Sequence, residues 1–119
     1  MPEDMQKEYI LNILGTEWKL RVCKSTDEPG LKNADGLTDR SSKTMYVRGD
    51  QDGVDNPLEN YAAYQKEVKR HEIIHAFMYE SGLGNETYHP EYGHDEQQVS
   101  WMALQFPKLL KIFEQADAI

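Results

Sequence analysis

The chain has 119 residues, the size of one ordinary domain, and 39% of them are apolar. Asp and Glu number 21 against 13 Lys and Arg, which gives a net charge of -8. This negative charge disfavours binding to nucleic-acid phosphates and to anionic membranes, so we expect neither kind of partner. We interpret residues 1–119 as a single domain.

Cysteine content and the chain ends indicate the compartment. Cys23 is the single cysteine, which excludes an intrachain disulfide and a cysteine-rich zinc site. The N-terminus is acidic and has no apolar signal region, and no apolar run is long enough to span a bilayer. The sequence therefore predicts a cytoplasmic protein.

The first third of the chain predicts one clear strand. Residues 18–23 alternate between apolar and polar side chains, which is typical of a half-buried strand. Residues 8–15 favour either a short helix or a strand broken at Gly15. Residues 24–42 are rich in Asp, Gly, Ser and Pro and predict loops and turns.

A second strand is predicted over residues 43–48, with Met45 and Val47 on one face. Residues 49–56 contain Gly, Asp and Asn and predict a turn-forming loop.

A long helix is predicted next from its capping residues. Asn56 is a suitable N-cap, Pro57 fits the first helical position, and Glu59 suits a capping-box acid. The helical pattern continues to about Ser81, where Gly82 is expected at the C′ position.

A second helix is predicted from near Asp95 to Phe106, and Pro107 is expected to kink or restart it. Trp18 and Trp101 are both expected in the core. The predicted fold class is α+β, with a short β-sheet or hairpin followed by two helices.

Residues 71–75 read H-E-x-x-H within the first predicted helix. His71 and His75 are one turn apart and about 40° apart around the helix, so both imidazoles can bind one metal ion. Glu72 lies about 100° around the helix from His71, where it can reach a water on that metal and act as general base. Ile73 and Ile74 are apolar, which favours this interpretation over a solvated helix face without metal.

A catalytic zinc ion also needs a third protein ligand and an open position. We favour Glu96, because it begins the second predicted helix and a helix–turn–helix brings that end back over the metal. Glu80 is directed away from His75 on the helical wheel. His94 is the next candidate, followed by Glu91 or Asp95, and His89 and Glu86 complete the set.

Together, residues 71–75 and 96–103 resemble the gluzincin pattern of zincin-like metallopeptidases, in which one helix carries two histidines and the next a glutamate. The closer resemblance is to small prophage and mobile-element proteins related to the ImmA/IrrE group, over residues 13–107.

This resemblance implies a Zn²⁺-dependent metallopeptidase with a peptide or protein substrate. His71, His75 and Glu96 would bind the zinc ion, and Glu72 would be the general base. The strand near Tyr46 would pair with an extended substrate. The candidates for a third ligand, an oxyanion donor or a substrate contact are Tyr88, His89, Tyr92 and His94.

Two other functions remain open on the sequence. One is a catalytically silent, zincin-like module of phage or mobile-element origin, either metal-binding or metal-free, that regulates a partner. The other is a zinc hydrolase that acts on bonds other than peptide bonds.

Overall fold

The structure is a computed structural model that describes residues 6–82 and 95–119. It contains a four-stranded sheet followed by two helices, which confirms the predicted α+β class. A short 3-10 helix, Pro29–Lys32, precedes the third strand. In chain order the elements are β1 (Lys7–Ile13), β2 (Thr16–Cys23), β3 (Gly36–Asp39), β4 (Thr44–Arg48), α1 (Tyr61–Ser81) and α2 (Glu96–Gln115).

The sheet has the strand order β1-β2-β4-β3. β1 and β2 form an antiparallel hairpin through a turn in which Leu14 and Gly15 both have positive φ. β2 and β4 are parallel, whereas β3 and β4 are antiparallel. β3 is therefore an edge strand of this sheet.

The core lies between one face of the sheet and α1. Alternate residues of β2, among them Trp18 and Leu20, are buried, while the residues between them face solvent. Val68 and Ala76 of α1 pack against this face. α2 packs on α1 rather than on the sheet. The second helix is therefore attached to the rest of the fold by its contacts with α1.

Both ends of α1 are tied to the sheet. The Tyr61 hydroxyl and the Gln65 amide donate hydrogen bonds to the backbone carbonyl of Arg48, at 2.7 and 3.2 Å. Near the other end, Glu80 accepts a hydrogen bond from the Trp18 indole N–H at 2.7 Å. The helical segment between these contacts, which contains the H-E-x-x-H motif, is thereby held at a fixed height above the sheet.

The strands β1 and β3 lie in segments for which the prediction was open or wrong. Residues 8–15 contain β1, so the strand alternative is correct. The prediction of loop throughout residues 24–42 is wrong at Gly36–Asp39, which forms β3 by pairing with β4. Four residues are too few to show an alternating pattern, and the strand is defined by its partner rather than by its own sequence.

The first helix begins later than its sequence predicted. Its N-cap is Asn60, whose side chain accepts a hydrogen bond from the Ala63 N–H, and the helix begins at Tyr61. The predicted N-cap at Asn56 is wrong, because Asn56 adopts a left-handed conformation with φ 54° in the preceding loop. Gly82, with φ 88°, ends the helix as predicted.

The second helix begins as predicted, with Asp95 as its N-cap, but it does not restart at Pro107 and runs on to Gln115. Trp18 is fully buried as expected, whereas Trp101 is 56% exposed, so its assignment to the core is wrong. Neither α1 nor α2 is long and apolar enough to cross a membrane.

Candidate metal centre

The two motif histidines lie one turn apart on α1 and face the start of α2. Because His71 and His75 are separated by four residues, the helix places their imidazoles on one side. Glu96 is the first residue of α2, and its place is fixed by Asp95, whose side chain accepts a hydrogen bond from the Gln97 N–H at 2.9 Å. Two helices thus bring three potential ligands together.

The donor atoms of these three side chains converge. His71 Nε2 lies 3.1 Å from Glu96 Oε2, and His75 Nε2 lies 2.9 Å from Glu96 Oε1. The two Nε2 atoms are 3.2 Å apart. Atoms that bind one tetrahedral zinc ion at about 2.0–2.2 Å lie about 3.3–3.6 Å from one another. Two imidazoles and one carboxylate at this spacing therefore fit a zinc ion with little movement.

Within residues 6–82 and 95–119, His71, His75 and Glu96 are the one group of three or more metal-ligating residues with ligand atoms within 4.8 Å of one another. Their side chains are 22%, 11% and 68% exposed, respectively. The group is therefore sheltered at the histidines and open to solvent at the glutamate. An open side is what a catalytic zinc site requires, in contrast to a closed structural one.

A second residue of α2 contacts His71 from the other side of its ring. Ser100 Oγ lies 3.5 Å from His71 Nδ1, one turn beyond Glu96. A polar partner at Nδ1 orients the ring so that Nε2 faces the candidate metal position. Sequence reasoning missed Ser100, although its spacing of four residues from Glu96 was a usable signal.

Glu72 lies beside the cluster and is only 6% exposed. Its Oε1 accepts a hydrogen bond from the Thr38 hydroxyl of β3 at 2.8 Å. Burial raises the pKa of the Glu72 carboxyl, and the Thr38 hydrogen bond and the nearby His71 oppose only part of that rise. A carboxyl group with a raised pKa is suited to take up a proton and release it again.

The close approach of β3 to Glu72 depends on a glycine. A Cβ atom at Gly36 would lie 2.7 Å from Glu72 Oε2 and 2.9 Å from Val68 Cγ1, both too close for van der Waals contact. The absence of a side chain at this position therefore lets the strand lie against the carboxylate. Sequence reasoning missed Gly36 and Thr38, because both lie in the segment that was interpreted as loop.

Two cavities border Glu72, with volumes of about 240 and 260 Å³. Both are lined by Gly36, His71 and Glu72. The remaining residues of the first are Asp35, Tyr64, Glu67, Val68 and Ser100, and those of the second are Leu37, Thr38, His75, Tyr79 and Glu96. Together they make a cleft along β3 with the candidate ligands at its side.

The strand expected to pair with a substrate is not available for pairing. Tyr46 lies in β4, which is hydrogen-bonded to β2 on one side and to β3 on the other. The prediction that the strand near Tyr46 pairs with an extended substrate is therefore wrong. Among the described residues, the edge strand beside the candidate ligands is β3.

Two of the alternative third ligands have other partners. Asp95 caps α2 through its hydrogen bond with the Gln97 N–H. Glu80 accepts hydrogen bonds from Thr16 and Trp18 and forms an ion pair with Lys43 at 3.1 Å. Glu80 thus contacts the sheet, in agreement with its predicted direction away from the metal. The other candidates lie outside the described residues, and they are Glu86, Tyr88, His89, Glu91, Tyr92 and His94.

Comparison of the chain with protein-family models, with curated proteins and with solved structures finds no match.

Proposed function

We propose that this chain is a zincin-like metallopeptidase, in which His71, His75 and Glu96 bind Zn²⁺ and Glu72 is the general base. The observation that carries this proposal is the convergence of three side chains from two helices, with donor atoms 2.9–3.2 Å apart. Two of the three are the histidines of the H-E-x-x-H motif, and the third is Glu96 of the next helix. The motif and the convergence are independent, because the motif does not determine where Glu96 lies.

When bound, a zinc ion lowers the pKa of a coordinated water to about 7 and polarises a substrate carbonyl group. Glu72 removes a proton from the water that attacks the peptide carbonyl carbon. Thr38 holds Oε1 of this carboxylate, which leaves Oε2 as the oxygen that takes the proton. Glu72 then passes the proton to the amide nitrogen as the C–N bond breaks, so that the amine leaves uncharged.

The cleft along β3 supports a polypeptide as the substrate. An extended peptide that pairs with β3 would place its backbone beside the candidate ligands, since Gly36 and Thr38 contact Glu72 from this strand. In this arrangement β3 pairs with the substrate, instead of the strand near Tyr46 that the sequence suggested.

Metal analysis and peptide digestion test the proposal together. We expect about one zinc ion per chain, and we expect that replacing both His71 and His75 by Ala removes it. Glu72→Gln should keep the zinc but lose hydrolysis of a peptide library. Glu114→Gln, an equivalent change at the exposed end of α2, is the matched control and should keep both properties.

The outcomes separate the alternatives. Bound zinc without any peptide hydrolysis, in the presence of normal folding, favours a catalytically silent binding module. Hydrolysis of small esters or amides but not of peptides favours a zinc hydrolase of another class. A folded chain that binds no zinc contradicts both hydrolase functions and favours a metal-free form of the regulatory module.

A further inference from the structure

Pro107 leaves one backbone carbonyl of α2 without a helical partner. It lies inside this helix, at a position where an ordinary residue would donate its N–H to the carbonyl four residues earlier. Proline has no N–H, and its ring also crowds that carbonyl, which belongs to Ala103. Ala103 is only 1% exposed, so water is a poor substitute for the missing donor.

Arg70 of α1 supplies the missing hydrogen bond. Its Nε donates to the Ala103 carbonyl at 2.6 Å. Because the donor is a guanidinium group, this is a charge-assisted hydrogen bond. The side chain also lines the apolar cavity between the helices, together with Phe77 and Met102.

Other contacts hold α2 only weakly. Of its residues, only Val99 and Ala103 are buried, whereas Trp101 and Ile112 are more than half exposed. Glu96 precedes Ala103 by seven residues, which is about 10 Å along a helix. A tilt of α2 about Ala103 therefore moves the carboxylate of Glu96 relative to the histidines of α1.

We propose that Arg70 docks α2 on α1 by binding the carbonyl that Pro107 leaves open, and that this contact holds Glu96 in place as a metal ligand. The second part of this inference rests on the metal centre proposed above. Arg70 is a positioning residue, because it contacts neither the candidate ligands' donor atoms nor the cleft beside Glu72.

Two uncharged variants of Arg70 test whether a hydrogen-bond donor is needed at the position of its Nε atom. In Arg70→Gln, the amide nitrogen stands as many bonds from Cα as Nε does in arginine, and it can still donate. In Arg70→Met, a methyl group stands there instead. We expect Arg70→Met to lower the folded-to-unfolded ratio about 5- to 30-fold in urea unfolding. Arg70→Gln should keep most of the stability of the unchanged chain. Lys66→Met, which removes an exposed cation from the same helix, is the control.

A double-mutant cycle with Pro107→Ala tests the pairing. The alanine restores the N–H that bonds to the Ala103 carbonyl, so Arg70→Met should then change the ratio less than about threefold. An equal loss in both backgrounds, or equal behaviour of the Gln and Met variants, would overturn the docking role.

Competition with a chelator for Zn²⁺ tests whether Arg70 affects Glu96 as a metal ligand. We expect Arg70→Met to bind Zn²⁺ about tenfold more weakly than the unchanged chain, and the Pro107→Ala background to restore most of this affinity. Unchanged affinity in Arg70→Met refutes the role of Arg70 in placing Glu96. If the unchanged chain binds no Zn²⁺, the metal centre and this second part fall together, while the unfolding cycle still decides the docking role.

Discussion

Glu72 is held by residues of another element, and these contacts decide how it can act. The Thr38 hydroxyl binds one oxygen of the carboxylate, and Gly36 provides the space for the other. The side chain is thereby held in one orientation, which is what the proposed role of Glu72 as general base requires.

Thr38→Val tests this fixation, because valine keeps the shape of threonine and removes the hydroxyl. We expect kcat for peptide hydrolysis to fall about tenfold with the zinc content unchanged. Thr38→Ser keeps the hydroxyl and should keep most of the activity. Equal rates for the valine variant and the unchanged chain would show that the hydrogen bond does not matter for the reaction.

Gly36→Ala places a methyl group where there is no room for one. Because its Cβ would meet both Glu72 and Val68 below 3.0 Å, we expect a loss of about 1–3 kcal/mol in the free energy of unfolding. Urea denaturation measures this loss. A variant as stable as the unchanged chain would mean that β3 can move away from α1 at no cost.

Single residues also show what the sequence could reveal. The motif and the helical pattern that begins near Asp95 are local signals, and they placed His71, His75 and Glu96 on the correct helices. The contacts of Thr38 with Glu72 and of Arg70 with Ala103 join residues 34 and 33 positions apart. No spacing in the sequence announces such pairs, because they depend on how the elements pack.

At the scale of elements, α1 is the part that determines the site. Its ends are tied to β4 and β2, and its exposed side receives α2. The strand β3 escaped prediction because its four residues become a strand only through pairing with β4. The start of α1 was predicted too early because Asn56 and Asn60 offer similar capping chemistry, and only the path of the preceding loop separates them.

The contact between Glu80 and the sheet should make stability depend on acid pH. The Trp18 indole N–H and Lys43 stabilise the charged carboxylate and hold the pKa of Glu80 below its ordinary value. The charged Glu80 carboxylate therefore contributes its full stabilisation to the free energy of unfolding above the ordinary carboxyl pKa. This stabilisation is lost as the pH falls through the lower pKa that Glu80 has in the folded state.

We expect Glu80→Gln to be less stable than the unchanged chain at pH 7, and the difference between them to shrink as the pH falls below about 4. Thermal unfolding of both proteins over this range measures the difference. A difference that stays constant with pH would show that the charge of Glu80 contributes nothing to the attachment of α1.

For the whole molecule, a metal that bridges α1 and α2 must also stabilise the fold, because α2 is otherwise held by few buried residues. Zn²⁺ at about 100 times its Kd should add about 2.7 kcal/mol to the free energy of unfolding. For a chain of this size, that corresponds to a rise in Tm of about 10 °C.

Calorimetry with and without Zn²⁺ measures this rise, and a chelator should reverse it. The double variant in which Ala replaces His71 and His75 is the control, and its Tm should not respond to Zn²⁺. An equal rise in the double variant would place the bound metal elsewhere on the acidic surface of a chain with net charge -8.

The most direct measurement is anomalous diffraction at the zinc absorption edge from crystals grown with Zn²⁺. We expect one strong peak about 2.0–2.2 Å from His71 Nε2, His75 Nε2 and a carboxylate oxygen of Glu96. A zinc peak elsewhere, or no peak between two imidazoles that point apart, would contradict the metal centre.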